Sequence, residues 1–429
     1  MRTNLAPHQL DDPHLASVEK NLRACVHCGI CTATCPTYVL TGDERDGPRG
    51  RIVMMQRMLE AGETPTAETV FHIDRCLSCL GCRSACPSSV DYARLVDTAR
   101  AYIQENYRRP WHERLLRTTI AFVMARPRLV KIAFGLARTF APIATRLPGR
   151  LGVMGRKAAN IPAHIDNEAA PIEKGARRVA LMPGCVQQAL APEIDRAAAR
   201  VLARRDIALV PLDGAGCCGA LAHHLGRADE AKTWARRAIE AFEKAGAVDA
   251  VLITATGCAA HLVDYPHLFL DEPEWRKRAQ AFADEVKDFS ELAAPGTLRI
   301  PQPLRVALQV PCSLQHGLRR AGGAAAALEA AGYEICDIPE GHLCCGSAGS
   351  YSILQPEMSA ALRERKLAAI ATVEADVVAS PNIGCLMHLA GPDAPPVIHP
   401  AELIDWAEGG PRPAAISPAK DAAAAAKTG

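Results

Sequence analysis

The sequence predicts a multidomain α+β chain. A largely helical, cysteine-rich N-terminal domain precedes two copies of one α/β module. Three observations predict this. Two cysteine quartets of identical spacing stand before residue 90. A different set of four cysteines recurs after 127 residues. Around that second set, short apolar runs alternate with stretches of helical period.

Composition sets the outer bounds. The chain has 429 residues, room for about three domains. Hydrophobic residues make up 49% and charged residues 22%, enough for ordinary buried cores. A formal net charge of +2 gives no basic field, and 4% aromatics give no base-stacking platform. Nucleic acid is therefore not an expected partner. The abnormal count is 17 cysteines. The first residues show no apolar core segment or cleavage site of an export signal, so the expected compartment is the reducing cytoplasm. Clustered thiols there serve metal or redox chemistry. No run of 18 charge-free apolar residues predicts a membrane span.

Residues 1–21 are polar and read as a loose arm. Residues 22–110 carry the two quartets. Cys25, Cys28, Cys31 and Cys35 are separated by two, two and three residues, with Pro36 following; Cys76, Cys79, Cys82 and Cys86 repeat the pattern, with Pro87 following. This is the spacing of two-cluster bacterial ferredoxins. A [4Fe–4S] cube needs four thiolates around one compact core. A tight loop supplies three, and the fourth opens a helix leading to the other cube. The expected ligand sets are therefore crossed. Cys25, Cys28, Cys31 and Cys86 hold one cluster; Cys76, Cys79, Cys82 and Cys35 hold the other. Gly29 and Gly81 would let the backbone approach the sulfurs. Structural zinc fits less well, because its cysteine arms come in pairs across a longer loop. The run Asp46-Gly47-Pro48-Arg49-Gly50-Arg51 reads as a turn into a helix over 52–59.

Residues 111–176 change character. From Arg114 to Ile165 there are ten Lys or Arg and no Asp or Glu. Ile120, Phe122, Leu129, Ile132, Leu136 and Phe140 lie among Arg117, Arg126, Arg128, Lys131 and Arg138, and Pro127 and Pro142 divide the stretch into short helices. Two readings stand side by side: helices in contact with an anionic membrane surface, or a hairpin packed on the chain itself or an acidic partner.

Residues 177–303 and 304–408 are the duplicated modules. Cys185, Cys217, Cys218 and Cys258 recur as Cys312, Cys344, Cys345 and Cys385. The flanking residues recur too: Arg178-Val179-Ala180-Leu181 as Arg305-Val306-Ala307-Leu308, and His261-Leu262 as His388-Leu389. Strands are expected at 179–182, 208–212, 249–254 and 306–310, and helices at 192–205, 229–245 and 322–331. The cysteines then fall in loops after strands, the edge where α/β sheets gather ligands. Further iron–sulfur ligation is the leading reading of these eight cysteines, with buried core thiols or a shared zinc as alternatives. His261 and His388 are weaker metal candidates, and Cys336 reads as a packed small hydrophobe. Gly214-x-Gly216-x-x-Gly219 matches a dinucleotide fingerprint, but the second copy loses the middle glycine and keeps its thiols, so Cys-Cys-Gly explains it. No catalytic residue is expected on this chain. Residues 409–429, rich in Pro and Ala, read as a disordered tail.

In this order, the two quartets, the run from Asp46 to Ile52 and the two Cys-Cys-Gly modules resemble the iron–sulfur subunit of bacterial glycolate oxidase (glycolate dehydrogenase). The resemblance runs from Leu22 to about Glu408. It implies an electron carrier beside an FAD-binding subunit that oxidises glycolate to glyoxylate, and a second flavoprotein-like subunit. Electrons would leave toward the quinone pool from a peripheral position on the inner face of the cytoplasmic membrane. The third subunit of anaerobic glycerol-3-phosphate dehydrogenase has the same modular order, and lactate-utilisation proteins have related modules. In heterodisulfide reductase the module ends Cys-x-x-Cys. Here His261 or His388 takes that last position, which argues against disulfide chemistry.

Overall fold

A computed structural model describes residues 2–144, 177–293, 295–298 and 304–416. In the N-terminal domain the helices Pro13–Ala24, Pro48–Ala61, Ala67–Asp74 and Tyr92–Asn106 bury Leu22, Met55, Leu59, Ile73, Leu95 and Ile103 in one core. Pro36 and Pro48 each occupy a first helical turn, where a missing N–H costs nothing. Cys35 caps its helix directly. After Cys86 the chain turns first, and the next long helix begins at Tyr92.

The loose arm expected at 1–21 is instead part of this domain. Asp12 caps the helix Pro13–Ala24 through a hydrogen bond from the His14 N–H. Val18 and Leu22, one turn apart, are both fully buried against the rest of the core. Two apolar side chains on one face are enough to dock a polar helix.

The basic stretch forms two helices, Trp111–Met124 and Pro127–Ala144. Pro127 starts the second helix, and Pro142 lies within its last turn rather than ending it. One face packs: Val130 and Ala141 are buried against Ala189 and Leu190 of the first module. The other face leaves Trp111, Leu115, Phe122, Ile132, Leu136 and Phe140 exposed. Both sequence readings thus find a face to rest on. The rest of the linker, 145–176, lies outside the described residues. No helix among the described residues is long and apolar enough to cross a membrane.

Each module is a four-stranded parallel sheet. The first comprises β1 (Arg177–Leu181), β2 (Ile207–Pro211), β3 (Ala250–Leu252) and β4 (Val286–Lys287) in the order β2-β1-β3-β4. The second comprises β5 (Arg305–Leu308), β6 (Glu334–Cys336), β7 (Val377–Ala379) and β8 (Val397–Ile398) in the order β6-β5-β7-β8. The same order in both copies is the structural counterpart of the repeat. The two share one core, in which Val179, Leu181 and Leu202 meet Val306, Leu308 and Leu328. Arg200 and Arg204 of the first module clamp the buried Asp405 of the second, at 2.7 and 2.9 Å. Of the expected tail, 409–416 is placed, with Pro413 buried and Ile416 packed on the shared core. The remainder, 417–429, lies outside the described residues.

Candidate iron–sulfur sites

The first site is a small cleft, with a cavity volume of about 30 Å³, lined by Cys25, Cys28, Cys31 and Cys86 with Ile52, Val90 and Tyr92 around them. Cys82 also borders it, while Cys35 is absent from the lining. Cys86 thus lies with the first three thiols around one cleft. Cys28 is exposed and its partners are half-buried, so this site lies near the surface.

The two loops share one backbone path. His27 and Ser78 hold equivalent left-handed positions, φ 56° and 53°. Gly29 at φ 82° is matched by Leu80 at φ 61°. The glycine expected to serve the second loop, Gly81, therefore does another job. A side chain there would press on the Thr34 carbonyl at 3.3 Å and the His316 ring at 3.6 Å. Left-handed non-glycine residues cost roughly 1–3 kcal/mol each and persist only where the surroundings demand them.

The second quartet is deeper. Cys35, Cys76 and Cys82 are buried. Burial and the neighbouring sulfurs push the Cys79 and Cys82 thiols well above their usual range, and Cys31 of the first site up to about 11. Thiols gathered this tightly resist ionising together unless a cationic centre sits among them. Four iron-seeking sulfurs around a small space, without a competing carboxylate in the first cleft's lining, fit a [4Fe–4S] cluster in each quartet. Backbone N–H groups already point at sulfur: Ser78 to Cys76 and Val90 to Cys86, both at 3.5 Å.

Beside Cys35 lies a network that the sequence showed only as a turn. Asp46 is fully buried. Its carboxylate meets His72 Nδ1 at 2.8 Å, Arg75 Nη1 at 2.7 Å and Arg51 Nη2 at 3.5 Å. Thr37 donates to the Asp46 carbonyl at 2.6 Å and sits 3.2 Å from the Cys35 sulfur. Arg51, 1% exposed, donates to Thr37 and to the His72 carbonyl, and one of its nitrogens lies 3.9 Å from the Cys35 sulfur. A side chain at Gly50 would collide with the Glu44 backbone, so the run needs glycine there.

In the modules, all eight cysteines sit at the C-terminal edges of the parallel strands or at the helix starts just beyond. Sulfur–sulfur distances are 3.6 Å for Cys185–Cys217, 3.9 Å for Cys312–Cys344 and 3.3 Å for Cys345–Cys385. Cys218 lies against Cys217 and Cys258, and its hydrogen bonds with Cys217 and then Cys258, together with burial, drive its thiol up. Cys217 accepts from Cys185, Cys218 and the Gly219 N–H and is held well down. The glycine of each Cys-Cys-Gly has positive φ, 83° at Gly219 and 91° at Gly346; a side chain at Gly346 would lie 2.7 Å from the Ser359 carbonyl. That requirement accounts for the apparent fingerprint without a phosphate.

His261 and His388 do not share a setting. The His261 ring faces His223 at 5.1 Å and Tyr265 at 5.5 Å. His388 Nε2 lies 3.4 Å from the Ser359 hydroxyl and 3.3 Å from its carbonyl. Cys336 is buried on β6.

The N-terminal domain docks its deeper quartet on the second module. Cys79 packs in one cluster with Leu77, Cys312, Cys344 and Tyr351. His316 bridges the seam, 3.0 Å from the Ser84 hydroxyl and 3.4 Å from the His342 carbonyl. Sequence reasoning missed His316, because nothing local marks a histidine that works across 232 positions.

Fold and thiol sets together define a multicentre iron–sulfur protein. Residues 24–91 match the 4Fe-4S dicluster domain family, and 179–263 and 306–390 match the cysteine-rich domain family. Over 413 residues the chain is 35% identical to the glycolate oxidase iron-sulfur subunit of Escherichia coli K12, covering 95% of this chain and 99% of that one. Over 397 residues it is 32% identical to the probable glycolate oxidase iron-sulfur subunit of Bacillus subtilis 168, covering 86% and 89%. Lactate utilization protein A of Bacillus licheniformis is 28% identical over 221 residues, half of this chain and 91% of that one. The chain belongs to the glycolate oxidase iron–sulfur subunit family.

Proposed function

We propose that this chain carries electrons from an FAD-bearing partner subunit, which oxidises glycolate to glyoxylate, toward a membrane quinone. A second flavoprotein-like subunit completes the complex. The observation that carries the reading is the placement of Cys79 against Cys312 and Cys344, which joins thiol sets of two domains in one buried cluster. When bound, [4Fe–4S] clusters supply one-electron carriers. Cys25, Cys28, Cys31 and Cys86 would hold one, and Cys76, Cys79, Cys82 and Cys35 the other. The Cys-Cys-Gly quartets would hold one or two more. The chain's own residues supply the thiolates, turn N–H groups toward sulfur and place the Arg51 cation beside Cys35. The glycolate assignment follows the names of the relatives; no residue described above recognises a small acid.

The exposed face of the two basic helices supports a peripheral membrane location. Phe122, Ile132, Leu136 and Phe140 stand out among Arg126, Arg128 and Lys131, the chemistry of a peripheral contact with anionic lipid on the cytoplasmic side.

The test is Cys28→Ser and Cys79→Ser in the assembled complex. Each variant should lose iron and stop glycolate-driven quinone reduction, while the flavin subunit still reduces an artificial dye. Quinone reduction at the parental rate in both variants would refute the route. Activity with lactate or glycerol 3-phosphate in place of glycolate would keep the carrier and change the substrate.

A further inference from the structure

We propose that Asp97, His223 and His224, with His261 beside them, form a site for one divalent transition metal of the zinc class. The site lies at the seam between the N-terminal domain and the first module and uses no thiol. Asp97 comes from the helix Tyr92–Asn106, His223 and His224 from the helix Ala220–His224, and His261 from the helix Thr256–Val263.

One ligand atom each of Asp97, His223 and His224 lies within 4.8 Å of the other two. Asp97 Oδ1 and His224 Nδ1 are 3.7 Å apart. The His223 ring stacks on that of His224 at 5.9 Å and tilts toward that of His261 at 5.1 Å.

Two buried nitrogens point to a ligand. Among the described residues, His223 Nδ1 and His261 Nε2 have no hydrogen-bond partner, although the residues are only 8% and 5% exposed. Buried imidazole nitrogens are ordinarily satisfied, and a metal is one way to satisfy them. Protonation states agree. Burial pushes both imidazoles below their usual range, which leaves lone pairs free. Burial opposes ionisation of Asp97, but in acid the protonated His223 and His224, with Arg100, outweigh it and hold the carboxyl low, so it is ionised where the two buried imidazoles are neutral. Neutral imidazoles with one carboxylate select zinc-class ions over calcium or magnesium, which prefer all-oxygen sets.

The frame around the site is firm. Arg94 donates to Asp264 at 2.6 Å across the seam. Gly226 packs so closely on the Arg100 carbonyl that a side chain there would collide with it. His224, with 42% of its side chain exposed, gives an ion its way in. A bound ion would staple the ferredoxin-type domain to the first module, as the Cys79 contact joins it to the second.

The experiment uses the full-length chain with its clusters, held anaerobic, given zinc chloride and desalted. Expected are about one zinc per chain by mass spectrometry and a zinc K-edge spectrum of nitrogen and oxygen neighbours at about 2.0–2.1 Å. Asp97→Asn with His223→Gln should lose that zinc while iron and sulfide stay at parental levels. His224→Ala, a change at a partly exposed position, should weaken zinc binding by about tenfold or more. Sulfur neighbours near 2.3 Å would place the ion on cysteines and overturn the proposal. So would a parent that retains no zinc, or a His224→Ala chain that binds it as tightly as the parent.

Discussion

Arg51→Met should loosen the second quartet selectively. Arg51 is 1% exposed and its carboxylate partner Asp46 is fully buried. Its guanidinium satisfies the His72 carbonyl at 2.8 Å and the Thr37 hydroxyl at 3.1 Å, and it faces the Cys35 sulfur at 3.9 Å. Methionine keeps most of the length and none of the donors. Removing one member of a buried ion pair costs about 3–5 kcal/mol. Arg75 at 2.7 Å and His72 at 2.8 Å still hold Asp46, so the low end applies, about 3 kcal/mol. At about 1.4 kcal/mol per tenfold, the locally open state around Cys35 becomes roughly 150 times more populated. The assay is anaerobic bleaching of the visible absorbance by an iron chelator at neutral pH. The phase belonging to the second quartet should accelerate by that factor. The first site, with its exposed Cys28, serves as internal control and should keep its rate. Arg51→Lys should fall between, because one ammonium cannot span both acceptors. Bleaching within threefold of the parent, or equal acceleration of both phases, would refute the reasoning.

Two further outcomes are expected. Burial pushes His399 down to about 4; its ring accepts from the Ala401 N–H and donates to the Thr254 carbonyl of the other module. The unfolded chain takes up this proton near 6.5 and the folded chain only near 4, so its stability is full above 6.5 and drains between 6.5 and 4, by about 3 kcal/mol. Melting curves of His399→Gln across that window should show a shallower pH dependence, and parallel curves would sink the assignment. For the basic helices, changing Arg126, Arg128 and Lys131 together to Gln should cost about 1 kcal/mol per charge in binding to anionic vesicles. Unchanged sedimentation with such vesicles would leave the exposed apolar face to a protein partner.

The quartets were legible because ligand spacing is a local property. Three sulfurs around one cube need gaps of two residues, whatever the rest of the fold does. The modules were legible because duplication leaves an offset of 127 that any reader can subtract. The first three strands of the first module, and β5 of the second, followed from apolar runs; β6 and β7, three residues each, were not among the expected strands. The fourth strands did not, since Val286–Lys287 and Val397–Ile398 are too short to show a period. The N-terminal helix was hidden because it buries only Val18 and Leu22 among polar neighbours. Leu80 was hidden as the left-handed partner of Gly29, because a leucine carries no local mark of positive φ and a glycine stands next to it. Asp46 and Arg51 read as parts of a turn, and nothing in the sequence singled out His72. Burying them works only because they meet one another, and a linear sequence does not show that meeting. The same holds for Asp97 and His223, which lie in different domains.

Duplication made the two thiol sets alike in spacing, and their neighbours then made them unlike. In the second module, Cys312 and Cys344 share a buried cluster with Cys79 of the N-terminal domain. In the first, Cys185 and Cys217 lie against Ala125 and Trp234, between the basic helices and the long helix Ala228–Ala245. The reduction potential of a thiolate-held centre depends on nearby charge, hydrogen bonds and exposure as much as on its ligands. The Gly219 N–H donates to Cys217 in one copy, while the Asn382 amide donates to Cys385 in the other, at 3.4 and 3.5 Å. Asn382 also accepts from the Gly257 N–H, so one side chain ties the second thiol set to the helix that carries Cys258 of the first. Identical motifs therefore occupy chemically different places, set by what each docks against.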